Sequence, residues 1–460
     1  MKKQKRVITY GTFDLFHEGH YNILKRAKEL GDYLIVGVTS EEYDRNRGKL
    51  NVVQSLTERI ENVRKTGLAN EIIVEEYEGQ KIDDIKKYKV DVFVIGSDWK
   101  GKFDYLKEYC EVVYLDRTKG ISSTKLRNSK YGIIKTGIIG SGRMANRFIP
   151  EAKYVSGISI EGVYGRNEKK LKDFMNKHEL LFYSLDFNEF LEKVDAVYIA
   201  TPHHTHYEFA KKALLNGKHV LCEKPLTLNK VQANELFEIA QRNNLVLIEG
   251  IKTAYCPGFI KLINILKTNI IGNIVSLTAT FTKLVKGNVR ELDPTQYGGS
   301  ITELSSYVIL PAIKIFGPNY DDVFFYSVFE NSKNIDIYSS IVITYKDKGF
   351  LTGIVGLGAK SEGSLVVSGT NGYIYVPSPW WKTEYFEIRN DNAQTIKRFV
   401  FPFEGDGLRY EIAEFVRLIR TKELESHYLT RNESLSIINI IEKFLNRQNV
   451  HELTNMNFKL

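Results

Sequence analysis

At 460 residues, the chain is too long for one hydrophobic core and calls for two or three domains. With 43% hydrophobic and 26% charged residues it has a globular composition, and no apolar run approaches the roughly 20 residues of a bilayer span, which excludes a membrane protein. A net charge of +8 is mild for this length and lacks the concentrated basic stripe of a nucleic-acid binder, so small anionic molecules are the expected partners.

The start, MKKQKRVITYG, has the basic front of a signal peptide, but Gly11 and Asp14 cut its apolar run short and no small-residue cleavage site follows. A cytoplasmic location is expected. Cys110, Cys222 and Cys256 lie far apart without CxxC spacing, which predicts reduced thiols and no metal site.

From Val7 to about Leu126, strand-like runs (VITYG, YLIVGV, EIIVEE, VDVFVIG, EVVYL) alternate with helical patterns. In HYNILKRAKELGD, for example, Ile23, Leu24, Ala27 and Leu30 share one face. This predicts a parallel sheet with crossover helices. The alternation restarts at YGIIKTGIIGSG and runs through ISIEGVYG, AVYIATP, HVLCEKP and LVLIEG. After about Lys252 the runs lengthen and alternate (NIVSLTATFTKLV, IDIYSSIVITY, GSLVVSGTNGYIYV), predicting an open, largely antiparallel sheet with flanking helices. The expected class is α/β, with domains at 1–130, 131–253 and 254–460.

The first chemical signal is GTFDLFHEGH, where His17 and His20 sit one turn apart at a predicted helix start. There they can face one anion together with the positive helix end. No carboxylate or cysteine nearby completes a metal site. A hundred residues on, RTKGISSTKLR places Ser122, Ser123 and Thr124 before another helix start, flanked by Arg117 and Lys125. The two segments together resemble the HxGH nucleotidyltransferase superfamily. YGTFDLFHEGH, VFVIGSDWKGKFDYL and VVYLDRTKGIS narrow the resemblance to the glycerol-3-phosphate cytidylyltransferases, over residues 5 to 127.

That resemblance implies in-line attack of a substrate phosphate on the α-phosphorus of CTP, with pyrophosphate leaving and Mg2+ accompanying the nucleotide. His17 and His20 would stabilise the transition state, with Lys49 and Arg117 as further catalytic residues. Gly11, Thr12, Phe13, Asp14, Arg59, Ser122, Ser123 and Thr124 would hold CTP. Lys49 and Arg59 would take the triphosphate or the acceptor phosphate. Trp99 is expected in the core or beneath the base. The spacing from Lys49 to Arg59 is one residue longer than in those enzymes, and their loop tryptophan is missing near YEGQK. Both departures leave room for an acceptor other than glycerol 3-phosphate.

The second signal is KTGIIGSGRMA, whose Gly140, Gly142 and Ala145 fit the G-x-G-x-x-[GA] dinucleotide turn, with Arg143 and Met144 beside the pyrophosphate. The next strand ends in YGRN, without the acidic residue that reads a ribose, and Arg166 can meet a 2′-phosphate. NADP is favoured over NAD.

ATPHHTHYEFAKKALLNGKHVLCEKPLTLN and GGSITELSSYVILPAIKIFG resemble the Gfo/Idh/MocA oxidoreductases, over about 133 to 460. By that resemblance Lys224 would polarise the substrate oxygen and Tyr307 would donate the proton. Glu223 and Pro225 would shape the nicotinamide site, while Thr201, Pro202 and His206 would line the cofactor. Glu303 and Ser305 replace the family's usual Asp and Gly. His203 and His204 are expected at the surface or in a supporting role, and Tyr255 and Tyr297 either contact substrate or pack.

Joined, the two resemblances imply a bifunctional enzyme. One half reduces a keto- or aldo-sugar phosphate to an alditol phosphate, and the other activates it as a CDP-alditol for capsule or teichoic-acid-type polymers. The alternative is a cytidylyltransferase fused to an uncoupled or structural sugar oxidoreductase. Both parent families imply at least a homodimer.

Overall fold

The five strands β1 (Arg6–Gly11), β2 (Tyr33–Thr39), β3 (Glu71–Glu75), β4 (Val92–Gly96) and β5 (Glu111–Leu115) form one sheet in the order β3-β2-β1-β4-β5. Every pairing is parallel, with Val7 opposite both Leu34 and Val92. Val7, Ile8, Leu34, Ile35, Phe93 and Val94 are fully buried because helices cover both faces of the sheet. The helix Glu18–Lys28 buries Leu24 and Ala27, and Ile23 and Leu30 pack half-buried on the same cluster. These are the four positions its periodicity marks. Ser55 opens the helix Leu56–Lys65 with a capping box to Glu58.

This computed structural model describes residues 4–46, 52–77, 79–116, 132–287, 289–330, 334–401, 403 and 405–453. The chain divides into two compact units, Met1–Ile133 and Ile134–Leu460.

The second unit begins with β6 (Ile134–Ile139), β7 (Ile158–Tyr164), β8 (Phe182–Ser184), β9 (Ala196–Ile199), β10 (His219–Glu223) and β11 (Leu247–Gly250). They form an all-parallel sheet in the order β11-β10-β9-β6-β7-β8. The order reverses at β6, where an open α/β sheet presents its crevice.

Nine further strands form a mixed sheet: β12 (Ile274–Thr282), β13 (Asp322–Glu330), β14 (Ile335–Tyr345), β15 (Gly349–Gly356), β16 (Leu365–Gly369), β17 (Gly372–Val376), β18 (Tyr385–Arg389), β19 (Thr395–Val400) and β20 (Val450–Glu452). The pairings β12–β15 and β13–β20 are parallel and the rest antiparallel. Alternate residues of β14 are buried, as a strand with one covered face requires. The cover is the helix Ser300–Phe316, buried along nearly its whole length. The helix Leu408–Thr421 is tied back to the helix Arg143–Ala152 by a buried ion pair, Arg409 to Glu151 at 2.8 Å. Burial alone would raise the Glu151 pKa, but hydrogen bonds and charge from Arg409 hold it below the usual carboxylate value.

For Trp99 the structure removes one of the two expected placements, the core. It lies in the turn after β4, 40% exposed, with Lys102 over its ring, so it is not a core residue.

Candidate active sites

In the first unit, β1 ends in the turn Gly11–Phe16, and His17 caps the helix Glu18–Lys28 with extended backbone (φ −142°). The His17 and His20 rings stack with centroids 3.9 Å apart, and Phe13 and Phe16 pack against His20 at 5.4 and 5.5 Å. Both imidazoles thus stand at the carboxyl end of the central strand, where the sheet order switches from β1 to β4.

The turn itself is held from below. The Asp14 carboxylate accepts from the amides of Val53 (3.1 Å) and Gln54 (3.0 Å). The Thr12 and Thr39 hydroxyls both donate to Asp44, at 3.0 and 2.6 Å. Arg59 is fully buried: its Nη1 donates to the carbonyls of Thr12 and Thr39 at 2.8 Å and lies 3.6 Å from Asp44, and its Nε donates to that of Gln54 at 3.1 Å. These bonds make Arg59 a strut between the turn Gly11–Phe16, the end of β2 and the start of the helix Leu56–Lys65. Asp44 lies in the run EEYDRN, whose charges give no local sign of a buried carboxylate. Lys49, Arg117, Ser122, Ser123 and Thr124 lie outside the described residues.

In the second unit a cleft of about 970 Å³ opens above β6. It brings together Gly140, Gly142, Arg143, Met144, Arg166, Thr201, Pro202, His206, Glu223, Lys224 and Tyr307. Gly140 has φ +99°, and a Cβ there would come within 2.8 Å of the Ala200 carbonyl oxygen. Gly142 caps the helix Arg143–Ala152, and a Cβ on it would meet no protein atom within 4 Å. His206 links two wall segments, with Nδ1 2.8 Å from the Pro225 carbonyl and Nε2 2.9 Å from that of Thr201. Burial pushes its pKa down to about 4 against the pull of those carbonyls. Pro225 stands behind the cleft rather than in its wall.

The Lys224 ammonium donates to the Glu303 backbone carbonyl at 2.7 Å and lies 5.8 Å from the centroid of the Tyr307 ring. The Tyr307 hydroxyl has no hydrogen-bond partner among the described residues. Burial, reinforced by the charges of Glu223 and Glu411, lifts its pKa well above that of a free phenol, so it stays protonated at neutral pH. Glu223 accepts from the Tyr198 hydroxyl at 2.5 Å, and burial raises its pKa.

Comparison with known proteins settles the family of each unit. Residues 8–129 match a cytidylyltransferase-like family model, and residues 134–251 match that of the GFO_IDH_MocA oxidoreductase family, NAD-binding Rossmann fold. The chain is 55% identical over 123 residues to a glycerol-3-phosphate cytidylyltransferase of Bacillus spizizenii, covering 27% of this chain and 95% of that one. The chain is a cytidylyltransferase fused to a Gfo/Idh/MocA oxidoreductase.

The oxidoreductase unit is also 29% identical over 322 residues to the scyllo-inositol 2-dehydrogenase (NADP(+)) IolU of Bacillus subtilis, which spans 68% of this chain and 96% of that one. Among solved structures, the 3-ketoreductase KijD10 of Actinomadura kijaniata has the same fold (TM-score 0.63, 22% identity, 70% of this chain and 99% of that one).

A dinucleotide fits the oxidoreductase cleft. The left-handed Gly140, the open space over Gly142 and the helix start at Arg143 form a pyrophosphate cradle, with Arg166 and Lys170 lining the same cleft. When bound, the nicotinamide supplies or accepts a hydride.

Several of the unit's residues carry no local motif. Arg290 grips Glu303 with both terminal nitrogens, at 2.8 and 2.9 Å, and His203 lies 3.5 Å from the same carboxylate. His203 is buried, and burial holds its pKa well below normal, so it takes the supporting role rather than the surface one. Tyr255 is buried and donates to the Glu249 carbonyl at 3.0 Å; neither it nor the exposed Tyr297 lines the cleft.

Proposed function

We propose that this enzyme makes a CDP-alditol in two steps. Residues 131–253 hold the dinucleotide and 254–460 a keto- or aldo-sugar phosphate, whose carbonyl is reduced to an alditol phosphate. A hydride adds to the carbonyl carbon, and the oxygen takes its proton from Tyr307 while Lys224 polarises it. Residues 1–130 then use the alditol phosphate as nucleophile. Its phosphate oxygen attacks the α-phosphorus of CTP, the bond to the β-phosphate breaks, and pyrophosphate leaves as His17 and His20 stabilise the added charge. Mg2+ enters with CTP.

The observation that carries the reading is one chain holding both a stacked His17–His20 pair at a helix start and a dinucleotide cleft containing Lys224 and the protonated Tyr307. The relatives support it: the first unit's are glycerol-3-phosphate cytidylyltransferases, and IolU is named for a cyclic polyol and NADP(+). Arg166 and Lys170 in the cleft favour NADP. Fusion keeps the intermediate at high local concentration for the second step. The product suits capsule or teichoic-acid-type polymer synthesis in the cytoplasm, by a homodimer or larger homo-oligomer.

The experiment is incubation of the pure protein with CTP, NADPH and a pool of triose to hexose phosphates, with mass spectrometry of the product. A CDP-alditol that appears only when both CTP and NADPH are present supports the reading. CTP consumption indifferent to NADPH and to every carbonyl phosphate removes the coupling and leaves the uncoupled fusion.

A further inference from the structure

We infer that Lys252, Lys360 and Lys382 form the subsite that reads the phosphate of the oxidoreductase substrate, an inference that rests on the reduction of a phosphorylated carbonyl compound proposed above. Among the described residues the cleft is lined by ten basic and four acidic side chains. The acids are mostly spoken for: Glu303 by Arg290, Glu291 by Arg143 at 2.6 Å, and Glu223 by the Tyr198 hydroxyl. Arg166 and Lys170 stand beside the dinucleotide turn, and Lys224 at the reacting centre.

Lys283 faces Glu291 at 3.5 Å, and the other three lysines of the cleft wall, Lys252, Lys360 and Lys382, are connected by a chain of contacts. Phe281 lies 5.2 Å from the Tyr307 ring on one side and stacks on Trp381 at 3.6 Å on the other. Lys382 directly follows Trp381, and the Trp381 carbonyl accepts from the Thr253 hydroxyl at 2.7 Å, next to Lys252. Lys360 donates to the Thr282 carbonyl at 3.1 Å, one residue beyond Phe281. A short substrate with its carbonyl between Lys224 and Tyr307 therefore runs past Phe281 into this wall.

None of the three is held in a close ion pair among the described residues. Lys252 donates to a backbone carbonyl, that of Asp406, at 2.7 Å, and Lys360 likewise to a carbonyl. Among the described residues Lys382 is paired with a carboxylate only at Glu384, at 4.0 Å and half-exposed, too far and too wet to neutralise it. The Asp406 carboxylate faces Arg147 at 3.7 Å. Lys252 also feels the buried Glu411 and Glu223 carboxyls, but among the described residues neither lies in an ion pair with it, and three ammonium groups bordering a partly desolvated cleft attract a dianion and disfavour a neutral sugar end.

The test is steady-state reduction by the full-length protein of ketose and aldose phosphates of three to six carbons. Wild type is compared with Lys360→Gln and with the double variant Lys360→Gln/Lys382→Gln, with inorganic phosphate as inhibitor and NADPH affinity measured by fluorescence. The expected result is a KM for the phosphorylated substrate raised about 10- to 100-fold in the double variant, less in the single one. The inhibition constant of inorganic phosphate should rise with it, and NADPH affinity should stay within about twofold. An unchanged KM, or a loss that appears in NADPH affinity instead, overturns the subsite while leaving sugar-phosphate reduction intact. If wild type reduces no phosphorylated carbonyl at all, the proposed function falls first and the subsite with it.

Discussion

Arg290 and Glu303 form a two-pronged ion pair, Nη1 to Oε1 at 2.8 Å and Nη2 to Oε2 at 2.9 Å, and the backbone carbonyl of the same Glu303 receives the Lys224 ammonium. One residue thus holds an arginine with its side chain and Lys224 with its main chain. Glu303→Gln leaves the guanidinium without a counter-charge beside Lys224. Because Arg290 is about a third exposed, the expected loss is modest, about 1 to 2 kcal/mol of stability, seen as a lower Tm. The reductase kcat should fall further than that loss explains, since the helix turn that anchors Lys224 is loosened. A Glu303→Gln enzyme with native kcat would separate the ion pair from the placement of Lys224.

The two chemistries should be separable by point substitution. His17→Ala is expected to cut cytidylyl transfer by roughly two to four orders of magnitude and leave NADPH oxidation intact. Lys224→Met and Tyr307→Phe should do the reverse. Supplying the alditol phosphate directly to the Lys224→Met protein should restore normal CDP-alditol formation. A Lys224 variant that cannot use the supplied alditol phosphate would rule out two independent sites.

Arg59 distinguishes a strut from a ligand contact. Its guanidinium and the Asp44 carboxylate are both buried, so Arg59→Met abandons a buried charge and three carbonyl partners. The expected cost is about 3 to 5 kcal/mol, seen as early unfolding of the first unit in a thermal scan. A residue that merely touched CTP would raise the KM for CTP and leave the thermal transition in place.

Arg59 also marks where the sequence stops being readable. Strand runs, the periodicity of the helix Glu18–Lys28, and the turns at His17 and Gly140 are written in neighbouring residues, so period and turn chemistry suffice to place them. Whether a cation faces a ligand or a carbonyl depends on what the fold brings from elsewhere. Arg59 meets Thr12 and Thr39 across 47 and 20 residues, and Arg143 meets Glu291 across 148. Lys252, Lys360 and Lys382 come from three separate connections, and no local pattern relates them. Trp99 sits in a short turn after β4, 40% exposed, a placement its own segment does not determine.

Glu249 gives the oxidoreductase unit a pH signature. It is 1% exposed, accepts from the Leu226 amide at 2.9 Å and from the Ser434 hydroxyl, and burial raises its pKa from 4.5 to about 7. With the folded pKa above the unfolded one, the folded state holds the extra proton between these values. Stability should therefore decline as pH rises from about 4.5 to about 7, by at most ~3 kcal/mol from this group. Glu249→Gln keeps the shape and removes the titration. Its Tm should vary less than that of wild type over this range and exceed it at pH 8. Parallel pH profiles for the two proteins would contradict a buried, titrating Glu249.

Gly140 and Gly142 stand two residues apart in one turn, yet they should fail differently. Gly140 has a left-handed backbone, and any Cβ on it presses the Ala200 carbonyl at 2.8 Å, so Gly140→Ala must shift the junction of β6 and β9. It is expected to cost about 1 to 3 kcal/mol of stability as well as dinucleotide affinity. Gly142 has an extended backbone and open space around it, so Gly142→Val needs no movement of protein atoms within reach of its Cβ. What it blocks is the close approach of a pyrophosphate to the helix start. The expected outcome is a native thermal transition with NADPH binding reduced at least about tenfold, measured by fluorescence titration. If Gly142→Val binds NADPH normally, the pyrophosphate does not sit on this turn, and the dinucleotide must enter the cleft by another route.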